Sequence, residues 1–223
     1  MISPPNRLAR RLFAPIAPSY ERWARLLSLG QDGRWRRRMV AGLAIETGDA
    51  VLDVAAGTGS ISRLLAARGC AVTALDLTPE MIRQHPGRDR VLGRAEELPF
   101  DDGTFAALTF GYLLRYVDDP AACLVELRRV LMPAGQIGMV EFGLPRGVWS
   151  LGWRLYSDLL LPLAGQIIGG GWYEVGAFLR RSIQNFHKDH ADLERMWREA
   201  GFTEIRVQPL SLGGGVVIWA RKS

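Results

Sequence analysis

The stretch VLDVAAGTGSIS, Val51 to Ser62, decides the architecture. Val51, Leu52 and Val54 make a short buried-strand run, and Gly57 and Gly59 open a turn. Ile61, Leu64 and Leu65 then share one face of a helix predicted over Ser60 to Arg68. Strand, glycine turn and helix in that order form the first unit of a doubly wound α/β sheet. Ligands of such sheets lie beyond the strand's carboxyl end, against helix amides. The glycines let a ligand approach main chain with no Cβ in the way. A nicotinamide site prefers G-x-G-x-x-G, but here the pattern is D-x-A-x-G-x-G and the third position is Ser62. Asp53, at the entry to the turn, repels a pyrophosphate and suits a cationic amino acid. Asp76 follows Gly57 by 19 residues and closes a second apolar strand, Ala71 to Leu75. That is the spacing of a carboxylate that accepts hydrogen bonds from a ribose diol. Acid, glycines and second acid point to S-adenosylmethionine (SAM) rather than a dinucleotide. The plain alternative is a strand, turn and helix with incidental glycines.

At 223 residues and 48% hydrophobic content, the chain is expected to fold as one domain over 1–223 with a sizeable core. Two cysteines, Cys70 and Cys123, make neither a disulfide framework nor metal-ligand spacing, so a reducing cytoplasm and no metal are expected. The first 18 residues hold Pro4, Pro5, Pro15 and Pro18 with scattered Arg, which is no secretory signal and reads as loosely ordered. The net charge is +5, and the base is almost wholly Arg, clustered at Arg7, Arg10, Arg11, Arg22, Arg25, Arg34 and Arg36 to Arg38. Such a face suits anionic lipid headgroups or is simply well solvated. No aromatic–basic interleaving of an RNA-binding module appears, and nucleic acid is not an expected partner.

Helices are predicted over Tyr20 to Leu29 and Gln31 to Ala44, the second with Trp35, Met39, Val40 and Leu43 inward. Residues 1–45 thus read as a helical cover over the mouth of the sheet. After Asp76 come a helix Glu80 to His85, a strand at Val91 and Leu92, and the turn LPFDDGTF leading into a strand Phe105 to Tyr112. A helix Pro120 to Leu131 and a strand Gln136 to Phe142 continue the β-α-β alternation of a parallel sheet. Residues 144–188 are different, with a very apolar helical run from Trp149 to Ile168, a break at Gly169 to Gly171, and a helix Trp172 to Asn185. The run is too short to span a bilayer, which takes ~20 residues. It lines an apolar pocket, lies at a membrane surface, or packs as an inserted layer. A helix His190 to Ala200 and a terminal hairpin, Phe202 to Leu210 with Gly215 to Ala220, complete the chain.

From Phe13 onward the sequence resembles the ubiquinone/menaquinone C-methyltransferases, class I SAM-dependent enzymes that methylate a ring carbon of a prenylated quinol. The segment SYERWARLLSLGQDGRWRRRMV is similar to the family's YD…N…LLS.G…WRR, and VLDVAAGTGSIS, VTALDLTPEMI and LPFDDGTF follow in family order. RVLMPAGQIGMVEFGLP, FLRRSIQNF and MWREAGFTEIRVQPLSLGGGVVIWARK resemble its later blocks. The front segment and the last two are the more specific. The resemblance implies a Rossmann-like class I methyltransferase fold: a mostly parallel seven-stranded sheet with a C-terminal antiparallel hairpin. It implies methylation of demethylmenaquinol to menaquinol. The acceptor would be a hydrophobic small molecule, with contact at the inner face of the plasma membrane. Self-association is left open.

By the same resemblance Thr58 contacts SAM, Asp76 holds its ribose, and Arg94 and Ala95 flank the adenine. The candidate cofactor set is Asp53, Ala55, Gly57, Thr58, Gly59, Asp76, Leu77, Met81, Arg94, Ala95, Glu96 and Gly111. Arg115 occupies the Arg of the family's FGLRNV motif, thought to carry catalysis, and Tyr20 matches an early Tyr near the substrate. The sequence departs from the family at Tyr116 (Asn in the motif), Glu21 (Asp), Ala24 (Asn), Arg94 (an acid or Asn) and His187 (Pro). These departures favour the alternative of a SAM-dependent methyltransferase for another hydrophobic or phenolic molecule, at C, O or N.

A sulfonium methyl is already electrophilic, so the protein mainly aligns the attack, holding reacting atoms ~3–3.5 Å apart. A carbon nucleophile also needs a phenolate, and hence a group that stabilises or deprotonates the phenol. Arg115 and Tyr116, Tyr20, and Glu141 at the end of the fifth strand are the candidates. A structural ion pair of Arg115 with Asp118 or Asp119 is the alternative for that residue; for Glu141 the alternatives are anchoring the methionine ammonium and capping a neighbouring helix. His187 and His190, expected before a helix start, are further titratable groups.

Overall fold

The computed structural model describes residues 3–223. Its centre is β1 (Ala50–Val54), whose last four residues are buried. β1 pairs in parallel with β2 (Ala71–Asp76) and with β4 (Phe105–Gly111). β3 (Arg90–Leu92) adds in parallel outside β2, and β5 (Leu131–Phe142) beside β4. β7 (Gly215–Lys222) runs antiparallel to β5 and is itself paired antiparallel with β6 (Phe202–Leu210). The order β3-β2-β1-β4-β5-β7-β6 makes seven strands, with the reversed pair at one edge as expected.

The two-residue period of the strands sorts the core into two layers. Leu52, Val54, Leu108 and Phe110 face α6 (Pro120–Val130) and α10 (Leu193–Glu199), packing on Leu124, Leu127 and Trp197. Val51, Ala107 and Val140 face the other way, onto Trp35 and Met39 of α3 (Gln31–Ala41) and Ile61 and Leu65 of α4 (Ser60–Ala66). α5 (Pro79–Arg83) follows β2. Over the carboxyl ends of the strands lie α1 (Pro4–Phe13), α2 (Tyr20–Leu27) and the inserted helices. The insert comprises α7 (Trp149–Leu155), a π turn (Tyr156–Leu160), α8 (Leu161–Ile168) and α9 (Trp172–Asp189). α8 and α9 approach at glycine: a Cβ on Gly165 would lie 2.6 Å from the Trp172 carbonyl oxygen. No helix among the described residues is long and apolar enough to cross a membrane.

Three expectations are corrected. The proline-rich start is not loose: Ser3 caps α1, accepting a hydrogen bond from the Asn6 amide at 3.3 Å, and proline occupies the first helical positions. Those positions have no intrahelical acceptor for an N–H, so proline loses nothing there. β5 begins at Leu131 rather than Gln136, because the register jumps from Phe105↔Leu131 to Ala107↔Gln136. Pro133 is accommodated in that bulge, with Ala134 at φ 59°. α9 continues to Asp189, so His187 sits in its last turn and His190 is its C-cap, neither before a helix start.

Candidate active site

The carboxyl ends of β1, β2 and β4 open into a cavity of about 90 Å³ lined by Ala55, Gly57, Thr58, Asp76, Leu77, Met81, Ala95, Glu96 and Gly111. Asn6 and Phe13 of α1 and Tyr20 of α2 complete its wall. Asp76 is buried, its Oδ2 accepting the Gly57 amide at 2.8 Å and its Oδ1 the Thr78 amide at 2.7 Å. Burial raises its pKa against the pull of those two amides. A carboxylate offers about four lone-pair sites, so a ribose diol can share these oxygens. Gly57, at φ +57°, keeps the turn bare; a Cβ there would come within 3.3 Å of Met81 Cε. These residues fit an S-adenosyl nucleoside, whose ribose Asp76 would hold and whose base Met81, Ala95 and Glu96 would surround. α2 is fastened to the turn by Glu21, whose Oε1 accepts from Thr58 Oγ1 at 2.9 Å, from Ser60 Oγ at 3.3 Å and from Arg63.

Asp53, Gly59 and Arg94 are not part of this lining. Asp53 shares the α4 side of the sheet with Val51, so the direct ligand contact expected of it is corrected. It accepts from Ser62 Oγ at 2.5 Å and Thr109 Oγ1 at 3.0 Å, beneath the turn, and burial raises its pKa to about 6. Gly59 is the left-handed N-cap of α4, with His85 and Pro86 where a Cβ would go. Arg94 lies beside Glu96, 4.0 Å away, rather than in the cavity.

Phe13, Tyr20, Tyr112 and Tyr116 also border a second cavity of about 440 Å³, roofed by the insert through Trp149, Trp153, Tyr156 and Trp172. Tyr20 stacks on Trp172 (centroids 6.2 Å apart), and Phe13 meets Tyr116 edge-on at 5.4 Å. The wall is overwhelmingly apolar, and polar groups enter it from two sides. On one, Arg115 Nε lies 3.1 Å from Glu141 Oε1, and its guanidinium donates to Ser182 Oγ at 2.7 Å and Tyr116 OH at 3.4 Å. The expected alternative partners are excluded: Asp119 instead caps α6 through the amides of Ala121 and Ala122. Burial alone would lower the Arg115 pKa, but Glu141 overrides it and holds the cation. Glu141 is raised by its own burial, its Oε2 has no partner, and it stands behind Arg115 rather than in the lining. His187 Nε2 is 2.8 Å from the Phe142 carbonyl oxygen, outside both linings.

The other polar cluster was not foreseen. Asp32 Oδ1 accepts from Tyr112 OH at 2.5 Å and from Arg36 Nε at 2.8 Å, and the Arg36 guanidinium sits 5.3 Å from the centroid of the Tyr112 ring. Asp32 and Arg36 are one helical turn apart on α3, in the same stripe as Val40 and Leu43, and that period was legible. Tyr112 gave no such signal. It directly follows β4 at φ 59°, a left-handed conformation that costs a bulky residue on the order of 1–3 kcal/mol. Among the described residues no metal-binding group of His, Cys, Asp and Glu assembles.

Dinucleotide-binding sheets extend in parallel and turn their first glycine amides to a pyrophosphate; here the last pair is reversed and the turn amide goes to Asp76. The fold and this turn place the chain among the class I methyltransferases. It belongs to the ubiE/COQ5 methyltransferase family, whose profile matches residues 5–222. Among curated relatives, the demethylmenaquinone methyltransferase of Thermus thermophilus is 36% identical over 91% of this chain and 96% of that one. The ubiquinone/menaquinone biosynthesis C-methyltransferase UbiE of Geobacter sp. strain M21 is 34% identical, covering 93% and 92%. In fold, a SAM-dependent methyltransferase of Thermotoga maritima superposes with TM-score 0.66 at 19% identity, covering 96% of this chain and 99% of that one.

Proposed function

We propose that this protein transfers the methyl group of SAM to a ring carbon of a prenylated quinol, converting demethylmenaquinol to menaquinol. The observation that carries this reading is the pair of cavities with a common wall at Phe13, Tyr20, Tyr112 and Tyr116: one opens at the glycine turn and Asp76, and an apolar cavity adjoins it. When bound, the cofactor supplies an electrophilic methyl on a sulfonium. The chain's part is to exclude water with the aromatic wall and to hold the acceptor ring against it. The buried Arg115 guanidinium stabilises negative charge on a ring oxygen. Transfer of labelled methyl to demethylmenaquinol, against a panel of phenols, tests the proposal; label appearing only in the phenols would overturn it. One observation favours that second acceptor class: Tyr116 OH lies 3.4 Å from the Arg115 guanidinium, where the family motif has Asn.

The same reading places the protein at the inner face of the plasma membrane, where such quinols reside. α7 and α8 are apolar on two sides. Trp153 and Tyr156 face the large cavity, while Leu151, Leu155, Leu159, Leu163 and Ile167 form an exposed stripe at four-residue spacing. Exposed Arg22, Arg25 and Arg154 share α2 and α7 with exposed Leu26 and this stripe. Apolar side chains flanked by Arg suit an anionic bilayer surface.

A further inference from the structure

Glu141, one of the candidates for stabilising or deprotonating the acceptor's phenol, lies behind Arg115 and out of the large cavity. Among the described residues, Asp32 is the only carboxylate that lines it. Its Oδ1 is held from two sides, by Tyr112 OH at 2.5 Å and Arg36 Nε at 2.8 Å. Its Oδ2 carries no hydrogen bond from any described residue, and its side chain is 14% exposed. The left-handed backbone at Tyr112 holds that phenol in place, and burial with Asp32 keeps it protonated and donating. Tyr112 borders both cavities, and Arg36 reaches the nucleoside side. An oriented carboxylate with one unclaimed oxygen therefore stands where the nucleoside and acceptor spaces meet. A fixed carboxylate oxygen that no protein donor satisfies is suited to take a hydroxyl from an incoming ring.

We infer that Asp32 is a catalytic residue on the acceptor side, its Oδ2 receiving the proton of the ring hydroxyl while Arg36 and Tyr112 fix Oδ1; this rests on the methyl-transfer reading above. The acceptor's O–H bond breaks, its electron pair stays on the oxygen and feeds the ring, and the proton forms a new O–H bond on Asp32. As the ring carbon gains the methyl, the S–C bond breaks with its electron pair left on sulfur as the neutral thioether. Once that carbon has lost its own hydrogen to water as a proton, Asp32 returns its proton to the ring oxygen. One proton is thus released per turnover and the carboxylate is regenerated. Arg115, on the other side of the Tyr112–Phe142 stack, serves as the charge stabiliser, not the proton acceptor.

The test compares wild type with Asp32→Asn on two naphthol acceptors, one ionised at the assay pH through a nitro substituent and one not. With the un-ionised acceptor kcat should fall about 10²–10⁴-fold, the range of a lost general base. With the ionised acceptor, which needs no base, the loss should shrink to less than about tenfold. A second readout needs no turnover: quenching of tryptophan fluorescence by each naphthol in the absence of cofactor. Asp32→Asn should bind the ionised form more tightly than wild type does, because a facing carboxylate no longer repels it. Equal losses on both acceptors, or no loss, overturn the inference. Should Asp32→Asn fail to fold, Tyr112→Phe replaces it and should lower kcat several-fold on the un-ionised acceptor alone. Wild type that methylates no quinol or phenol would instead sink the function, a separate outcome.

Discussion

Asp53 illustrates how a single buried side chain in this site trades stability for geometry. It ties the end of β1 to Ser62 of α4 and to Thr109 of β4, so the glycine turn is braced from below. Burial raises its pKa from 3.8 to about 6, which makes the folded state the tighter proton binder. Its contribution to stability is therefore greatest below the unfolded pKa, declines as pH rises through about 6, and is flat above that. A shift of this size is on the order of 3 kcal/mol, because each pKa unit is about 1.4 kcal/mol. Asn in its place can still hydrogen-bond both hydroxyls but carries no charge to desolvate. In thermal melts of wild type and Asp53→Asn, the variant should gain on wild type as pH is raised from 4 to 8. A difference in melting temperature that stays constant with pH would show that Asp53 is not charged by that titration. The pattern D-x-A-x-G-x-G made the acid conspicuous, but which side of the pleat it took depended on Thr109 and Ser62. For the same reason Arg115 and Glu141 were each singled out from the sequence, whereas their pairing across 26 residues was not.

At the level of elements, the cover is the part that walls the smaller cavity. The nucleoside cavity measures about 90 Å³, well below the ~300–1,000 Å³ of typical small-molecule sites. The helix closing it, α1, is held at its buried Asn6, whose Nδ2 donates to Glu96 Oε1 at 2.6 Å and to the Tyr116 carbonyl at 3.2 Å. The expected outcome is that α1 gives way as ligands exchange. Asn6→Ala should accelerate release of S-adenosylhomocysteine about tenfold, as expected from the loss of hydrogen bonds worth about 1.5 kcal/mol. Stopped-flow displacement measures this, and an unchanged release rate with a lowered melting temperature would reduce Asn6 to a structural anchor. The sheet itself was legible down to individual strands, because β1, β2, β4 and the second half of β5 are largely apolar runs between turns. α1 was not, because prolines mark loops and helix starts alike, and only the Ser3 cap and the burial of Ala9 and Leu12 decide between them. The bulge in β5 was hidden for a related reason: Pro133 and Gly135 break a strand unless its neighbour tolerates a slip in register. The Asp32–Arg36–Tyr112 cluster joins α3 to the end of β4, and a contact between segments 80 residues apart leaves no mark on either alone.

For the molecule as a whole, the question is how a water-insoluble acceptor reaches a buried ring site. Leu151, at 71% exposed, and Ile167, at 88%, would be unusual on a freely solvated surface, and they belong to a stripe on the helices that roof the large cavity. If that roof sits in the headgroup region, an acceptor can pass from bilayer to cavity without crossing water. Leu151→Asp combined with Leu155→Asp tests this, because both side chains point outward and their replacement should change folding stability by less than about 0.5 kcal/mol each. Burying a leucine in lipid is worth about 1.5–3 kcal/mol, so sedimentation with anionic vesicles should weaken at least tenfold in the double variant. Methyl transfer to a quinol embedded in those vesicles should fall in parallel, while transfer to a short-tailed quinol in solution should not. High salt should weaken wild-type binding only in part, since screening acts on Arg22, Arg25 and Arg154 and leaves the leucines' contribution intact. Equal activity of the double variant on embedded and dissolved quinols would mean that the acceptor enters elsewhere, and that the stripe covers some surface other than a bilayer.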